Sequence, residues 1–325
     1  MPLDADDIVD RRRLRRKLTF WRVLTVAVIA IGIVGGALVY SDRGAGLRPG
    51  AFIARIKIQG LIRNDADRVE ALERLGRSQA RAVVVHVDSP GGTTAGSEQL
   101  HQALRKLATR KPVVVVVDGL AASGGYITAM ASDHIVAQST SLVGSIGVIF
   151  QFPNVTDLLK TVGVKVEEVK SSPLKAAPNG FEPTSPEARA ALESIVRDSY
   201  NWFREMVADR RKLSGAALEQ VSDGRVFTGR QAVELKLIDE LGDERTAVDW
   251  LAKERSIDAK TPVRDWELKD RLGDLSFLHL GMTALLRSVG LDAVAQRLSE
   301  AGTAQALERM NLDGLLALWH PAATN

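Results

Sequence analysis

Apolar residues along the middle of this chain recur with two periods in turn, one of two residues and one near 3.6. Ala51–Ile62 places Phe52, Ala54, Ile56 and Ile58 on one face, the pattern of a strand with one covered side. Asp65–Leu75 then carries Val69, Leu72 and Leu75 at helical spacing, with Asn64 as the expected N-cap. Ala82–Val87 (AVVVHV) and Val113–Val117 are short apolar runs rich in β-branched residues, as in strands covered on both faces. A helix is expected from about Thr94, between the two runs. This alternation predicts a βαβ sheet with right-handed crossovers.

Both apolar runs end in small residues. The first passes into Asp88-Ser89-Pro90-Gly91-Gly92, where Pro-Gly-Gly predicts a turn with backbone N–H groups that no side chain covers. The second passes through Asp118-Gly119 into Ala121-Ala122-Ser123-Gly124-Gly125 and then a helix. A serine on a sharp strand-to-helix turn has an exposed Oγ, and the following N–H points the same way; together they supply a nucleophile and an oxyanion donor. The same segment also fits a plain glycine-rich turn in which Ser123 caps the helix. Two parallel strands ending this way bring both turns to the carboxyl edge of one sheet, where open α/β sheets bind ligands.

Further along, Asp133–Gln138, Ser145–Phe150 and Val164–Val169 read as strands, with a helical turn at Leu158–Val162. Lys170–Glu182 (KSSPLKAAPNGFE) has loop composition. A long helix starts at Ser185-Pro186, an N-cap followed by proline in the first turn, and runs to about Leu213. Thr228-Gly229-Arg230-Gln231 is a capping-box pattern that opens a short helix, and Leu237–Asp239 closes the sheet region. Residues 256–271 read as irregular, and 274–318 hold amphipathic helical runs that end in the apolar Leu312–Trp319.

The amino-terminal pattern is different. RRRLRRK at 11–17 is followed by Val23–Tyr40, 18 residues without a charge, just long enough to cross a bilayer. A cleaved signal peptide would have a shorter apolar region and an A-x-A-like site, which SDRGAG after Tyr40 does not offer. An uncleaved anchor is therefore expected. The basic flank places the N-terminus in the cytoplasm and the body outside the inner (cytoplasmic) membrane. The chain thus divides into a basic N-terminus (1–22), a transmembrane anchor (23–40), a linker (41–50), an α/β body (51–245) and a helical C-terminal tail (246–325).

Charge and composition narrow the chemistry. Residues 1–22 hold seven Lys/Arg and four Asp, which accounts for the whole net charge of +3 and leaves the rest neutral. No nucleic-acid surface is indicated. There is no cysteine, which excludes disulfides, thiolate clusters and a cysteine nucleophile. Five scattered histidines without H-x-x-x-H spacing predict no metal site, and no cofactor is expected.

If Ser123 is a nucleophile it needs a base. His86 lies within a strand, His134 follows a helix end, His101 sits on a helix, and His279 and His320 lie in the tail. Neither His86 nor His134 has an evident carboxylate partner at the turn. Lys175 is a second candidate. A solvated lysine titrates near ~10.4, and burial in an apolar setting lowers this; Leu174, Ala176, Ala177 and Pro178 would provide that setting. A solvated loop lysine is the plain alternative. Ser172-Pro173-Leu174-Lys175 also matches S-x-x-K, but the companion K-T-G and S-D-N motifs are missing.

DSPGG, DGLAASGGYITAM, STSLVGSIGVI, SSPLK and DGRVFTGRQAVELKLID occur in this order over residues 51–245. Together they resemble the bacterial signal peptide peptidases (SppA, short form) of the S49 serine-protease family, which have a ClpP/crotonase-like parallel-sheet fold. The resemblance implies a Ser–Lys dyad. Its nucleophile would be Ser123 and its general base Lys175, with Ser145 positioning the lysine and the N–H groups of Gly92 and Gly124 forming the oxyanion hole. It further implies apolar peptide substrates such as remnant signal peptides, and homo-oligomeric rings whose subunits together build the active sites. Two other readings share the fold: a crotonase-type acyl-thioester enzyme, which would bind acyl-CoA, and a non-catalytic membrane scaffold, which would be oligomeric but inactive.

Overall fold

The structure, a computed structural model, describes residues 50–268, isolated helical positions before them and the short strand Leu316–Leu318. By its contacts the chain divides between Gly50 and Ala51. Most of the anchor expected at 23–40 and most of the tail lie outside the described residues. Among the described residues no helix is long and apolar enough to cross a membrane.

The body follows the predicted alternation: β1 (Phe52–Ile62), α1 (Ala66–Arg77), β2 (Ala80–Thr93), α2 (Thr94–Ala108), β3 (Val113–Ala122) and α3 (Gly124–Ala129). Next come β4 (His134–Ala137), β5 (Leu142–Gly144), α4 (Thr156–Thr161), α5 (Pro186–Arg211) and α6 (Gly215–Val221). β6 (Val226–Thr228), α7 (Gly229–Glu234), β7 (Glu240–Leu241), α8 (Glu244–Arg255) and β8 (Val263–Asp265) complete it. The sheet runs in the order β6-β5-β3-β2-β1-β8. It is mixed rather than all parallel, because β6 lies antiparallel to β5, and Leu316–Leu318 (β9) antiparallel to β2.

The valine runs are apolar throughout because both sheet faces are covered. Val83, Val85, Val113, Val115 and Val117 join the main core with Leu72, Leu100, Leu104 and Phe203. Val84, Val114 and Val116 point the other way, onto Ala247 and Leu251 of α8. Further along the strands this second face turns polar. Glu244 accepts from Arg55 Nε and Nη2 at 2.5 and 2.6 Å and meets His86 Nε2 at 2.8 Å, while His86 Nδ1 lies 2.8 Å from Asp118. The Arg55 guanidinium, opposed by partial burial and reinforced by His86, holds the Glu244 carboxyl below the usual carboxylate range.

Several boundaries differ from expectation. Asp65, not Asn64, caps α1, accepting from Arg68 N–H at 2.9 Å. Strand pairing falls on Leu142–Gly144 rather than Ser145–Phe150, since Ser145 turns the chain at φ 50°. Val164–Val169 forms no strand, because no neighbouring strand of the same chain pairs with it. The sheet closes at Glu240–Leu241, not Leu237–Asp239. Val263–Asp265 is a strand inside the stretch read as irregular, and with α8 it continues the packed body beyond residue 245. Leu316–Leu318, at the end of the expected helical runs, is a strand.

Only Gly180 and Ala188 are buried between residues 151 and 201. This stretch, α4 and the first half of α5 included, stands apart from the core, with Leu158 and Val162 each 63% exposed. Phe203→Ala should therefore cost about 3–5 kcal/mol in urea unfolding, whereas Leu158→Ala should change stability by less than ~0.5 kcal/mol. Glu244 gives a second test. Its depressed pKa contributes stability that is present above its unfolded pKa and is lost as pH falls through the folded value. Glu244→Gln should lower the melting temperature at neutral pH and flatten its decline in acid.

Candidate active site

β3 divides its pairing along its length. Val114–Val117 pair with β4, and Leu120–Ala122 pair with β5, which sets Ala122 beside Gly144. Each strand ends there and is followed by a serine, Ser123 on one and Ser145 on the other. The Ser123 N–H donates to Gly144 C=O at 2.8 Å, and the Ser145 N–H donates to Arg225 C=O at 2.8 Å. Ser123 (φ 53°) and Ser145 (φ 50°) both adopt positive φ, which costs a residue with a side chain. The register thus makes the two serines neighbours in matching, strained conformations.

Ser123 is 1% exposed and precedes the first turn of α3. It makes no side-chain cap hydrogen bond, so the helix-capping role open to it in the sequence is not the one it takes. Its Oγ has a single long contact, 3.4 Å to Gly147 C=O. A buried hydroxyl in a strained residue, with so weak a partner, is available for chemistry. Tyr126, on the same helix, donates from its hydroxyl to Leu237 C=O at 2.7 Å, and complete burial pushes its pKa up.

The glycine turn lies alongside. The Pro-Gly-Gly expected as a turn continues β2, with Ile62 beside Gly92. A Cβ on Gly92 would stand 1.8 Å from Ile62 O, so the close approach of β1 and β2 requires glycine. Ser89, which the sequence did not single out, organises this end: its Oγ donates to Gly60 C=O at 2.7 Å and accepts from Gly91 N–H at 3.1 Å. Its position beside Pro-Gly-Gly was the one available signal. A Cβ on Gly125 would come within 2.6 Å of Ser89 O, so α3 sits directly against the SPGG segment. Gly124, the first residue of α3, has one of the N–H groups that a helix leaves without an intrahelical acceptor.

Lys175 lies on the largely exposed stretch 151–201, the arm. It lies in a tight turn in which its N–H donates to Ser172 C=O at 3.0 Å. Its side chain is exposed and has no hydrogen bond or ion pair among the described residues. Leu174 is half exposed, so the apolar setting expected around the lysine is not built within one chain. Ser172 is exposed too. The β3–β5 register thus brings the Ser123 and Ser145 turns together, Gly125 packs α3 against the SPGG segment that contains Gly92, and Lys175 is exposed on the arm. No group of three or more metal-binding side chains occurs among the described residues.

The sequence model of peptidase family S49 matches residues 105–258, which include Ser123, Ser145 and Lys175. A putative protease of Synechocystis sp. is 37% identical over 208 residues, 63% of this chain and 75% of that protein. The chain belongs to peptidase family S49. It is accordingly a serine protease. Other S49-type relatives are a putative signal peptide peptidase SppA of Enterococcus faecium and protease 4 of Haemophilus influenzae. The first is 31% identical over 202 residues, 62% of this chain and 59% of that one. The second is 30% identical over 233 residues, 69% of this chain and 38% of that one. The chain thus spans less than two thirds of these two. Among solved structures, a ClpP1 mutant from Listeria monocytogenes aligns over 59% of this chain and 92% of its own, with 16% identity and a TM-score of 0.40.

In this S49 peptidase, Gly92→Ala should abolish peptide hydrolysis, because β1 and β2 must part to admit the methyl group. Gly215→Ala at the start of α6, where a Cβ meets nothing within 4 Å, should leave hydrolysis intact and carry only the strain of φ 53°. Parallel assays with circular dichroism check both.

Proposed function

We propose that this protein is a membrane-anchored serine endopeptidase in which Ser123 and Lys175 form the catalytic dyad and act on apolar peptides such as remnant signal peptides. The observation that carries this reading is Ser123 itself: buried, at positive φ, with no capping bond, at the head of the helix whose Gly125 packs on Ser89 of the SPGG segment. Ser123 Oγ attacks the scissile carbonyl as Lys175 takes its proton. The N–H groups of Gly92 and Gly124 receive the oxyanion. Lys175 then protonates the leaving amine, and water hydrolyses the acyl-enzyme. Ser145, neighbour to Ser123 by register, orients the lysine amine. No metal or cofactor takes part.

Lys175 lies exposed on the arm, so this reading needs a second copy: the lysine of one subunit serves the serine of the next, in a homo-oligomeric ring. One feature of the arm supports it. Val162, Val164, Val166, Val169 and Leu174 are apolar and exposed, a cluster that solvent disfavours and a neighbouring subunit would cover. Contact would also desolvate Lys175, which is what a lysine base requires.

An extended apolar substrate fits the same edge. Leu316–Leu318, itself apolar in sequence, pairs antiparallel with Gly91–Thr93, so the backbone there accepts an added strand. The uncharged 23–40 segment, with its basic flank, would hold the enzyme in the inner membrane with the body on the extracytoplasmic side.

Full-length protein in detergent, assayed on a signal-peptide-like substrate, provides the test. Ser123→Ala and Lys175→Ala should each be inactive and folded, Ser145→Ala should be weakened, and Ser172→Ala should be active. Mixing the two inactive variants and allowing subunits to exchange should restore part of the activity, as a dyad shared between copies requires. Activity in Ser123→Ala, or a mixture that stays inactive after proven exchange, would refute the nucleophile or the sharing respectively.

A further inference from the structure

The far end of the nucleophile helix is gripped by two arginines and a histidine. Every carbonyl from Tyr126 to Ser132 has a donor. Backbone turns account for Tyr126, Thr128 and Ala129. The other four are met by side chains from two different helices. His101 Nδ1 lies 2.8 Å from Ile127 O, and Arg105 Nη1 donates to Ala131 O at 3.1 Å, both residues being on α2. From α5, Arg210 donates through Nε to Met130 O at 2.9 Å and through Nη2 to Ser132 O at 2.5 Å. The planar guanidinium spans two carbonyls, which a lysine ammonium, a point charge, does not reproduce.

This grip is connected to the oxyanion geometry at both ends. α2 starts at Thr94, directly after Gly92 and Thr93, and Thr93 Oγ1 caps it by accepting from Gly96 N–H at 3.1 Å. The helix that begins at one oxyanion donor therefore holds, with its second half, the far end of the helix that begins at the other. Gly125 packs on Ser89 O with no room for a Cβ, which fixes how closely the first turn of α3 approaches β2 and leaves its position along the axis to the contacts at its far end. Arg210 anchors that far end from a second helix, α5, through two of its carbonyls.

We propose that Arg210 is a positioning residue of the peptidase: by binding Met130 O and Ser132 O it seats α3 along its axis, and so keeps the Gly124 N–H in register with the Gly92 N–H. The proposal rests on the assignment of Ser123, Gly92 and Gly124 made above. It places the effect in the transition state, where oxyanion donors act, and leaves ground-state peptide binding alone.

The test compares wild type, Arg210→Met and Arg210→Lys as full-length protein in detergent. For Arg210→Met, kcat should fall roughly ten- to a hundredfold, the order that a misplacement near 1 Å produces, with KM within about twofold. Affinity for a peptide aldehyde, whose tetrahedral adduct occupies the oxyanion hole, should fall by the same factor as kcat. Binding of a non-cleavable peptide should not change. Arg210→Lys should lie between the two, and added guanidinium should raise kcat of Arg210→Ala in a saturable way. Wild-type kcat in folded Arg210→Met would overturn the proposal, as would a loss that matches the unfolded fraction or falls on KM. If Arg210→Met does not fold, Arg105→Met, which removes the single bond to Ala131 O, is judged by the same kcat, KM and aldehyde criteria. Ser123→Ala, run alongside, separates the two claims: activity there defeats the assignment of the nucleophile, whereas an inactive Ser123→Ala with an unaffected Arg210→Met defeats only the role of Arg210.

Discussion

The hydrogen bond from Ser123 N–H to Gly144 C=O ties the candidate site together. It exists because β3 is longer than either strand on its outer side and pairs with β4 first and β5 afterwards. The transfer from one partner to the next brings a second chain segment to the tip of β3 where the strand gives way to a helix. Ser123 and Ser145 then leave their strands together, each held at positive φ by a backbone bond that starts at its own N–H. Such conformations persist only where the surroundings over-determine them. Here the surroundings are the buried valine strands on one side and the β5–β6 pairing on the other.

The same body divides its surfaces by chemistry. One sheet face is sealed by α1, α2, α3 and α5 over an apolar core. The other is sealed by α8 only along the first part of the strands. Past that point Arg55, His86, Asp118 and Glu244 replace the valines, and their mutual bonds, rather than burial, hold α8 to the sheet at its N-terminus. The acidic residue at the start of α8 also suits the positive end of the helix dipole.

The arm follows another principle. Its own bonds are local: Val155 N–H to Gly180 C=O, and Lys170 between Glu168 and Glu182 at 2.6 Å each. It buries almost nothing against the core and yet exposes a run of valines. Under the proposed function this division is useful. The rigid body holds the nucleophile and the oxyanion donors, and the arm presents the base to a neighbour, so the complete dyad exists only in the assembled enzyme. A solitary subunit would then carry no complete catalytic pair.

Much of this was legible in the sequence. The valine runs, the positions of Ser123 and of the SPGG segment, the N-cap at Ser185 and the capping box at Thr228 follow from local periodicity and local hydrogen bonding, which act over a few residues and leave their mark in residue type. Glycine at 92 was legible as a small residue, but its reason, the carbonyl of Ile62, was not, because that contact is made by the pairing of two strands. The segment Val164–Val169 has strand composition without a strand, since pairing needs a partner that composition does not name. Val263–Asp265 shows the converse: a short charged stretch became a strand because the edge of β1 was open to it. The capping role of Ser123 was open in the sequence, and only the folded geometry showed that the side-chain cap bond is not made. Arg210 carried no local signal at all. Its two acceptors lie about eighty residues away in the chain, and only the packing of α5 across the end of α3 brings the guanidinium to them. Residue types thus determined which elements form and which groups can do chemistry, through interactions of short range. The tertiary structure alone decided which of those groups meet, because strand register and helix packing set distances between residues that the chain keeps far apart.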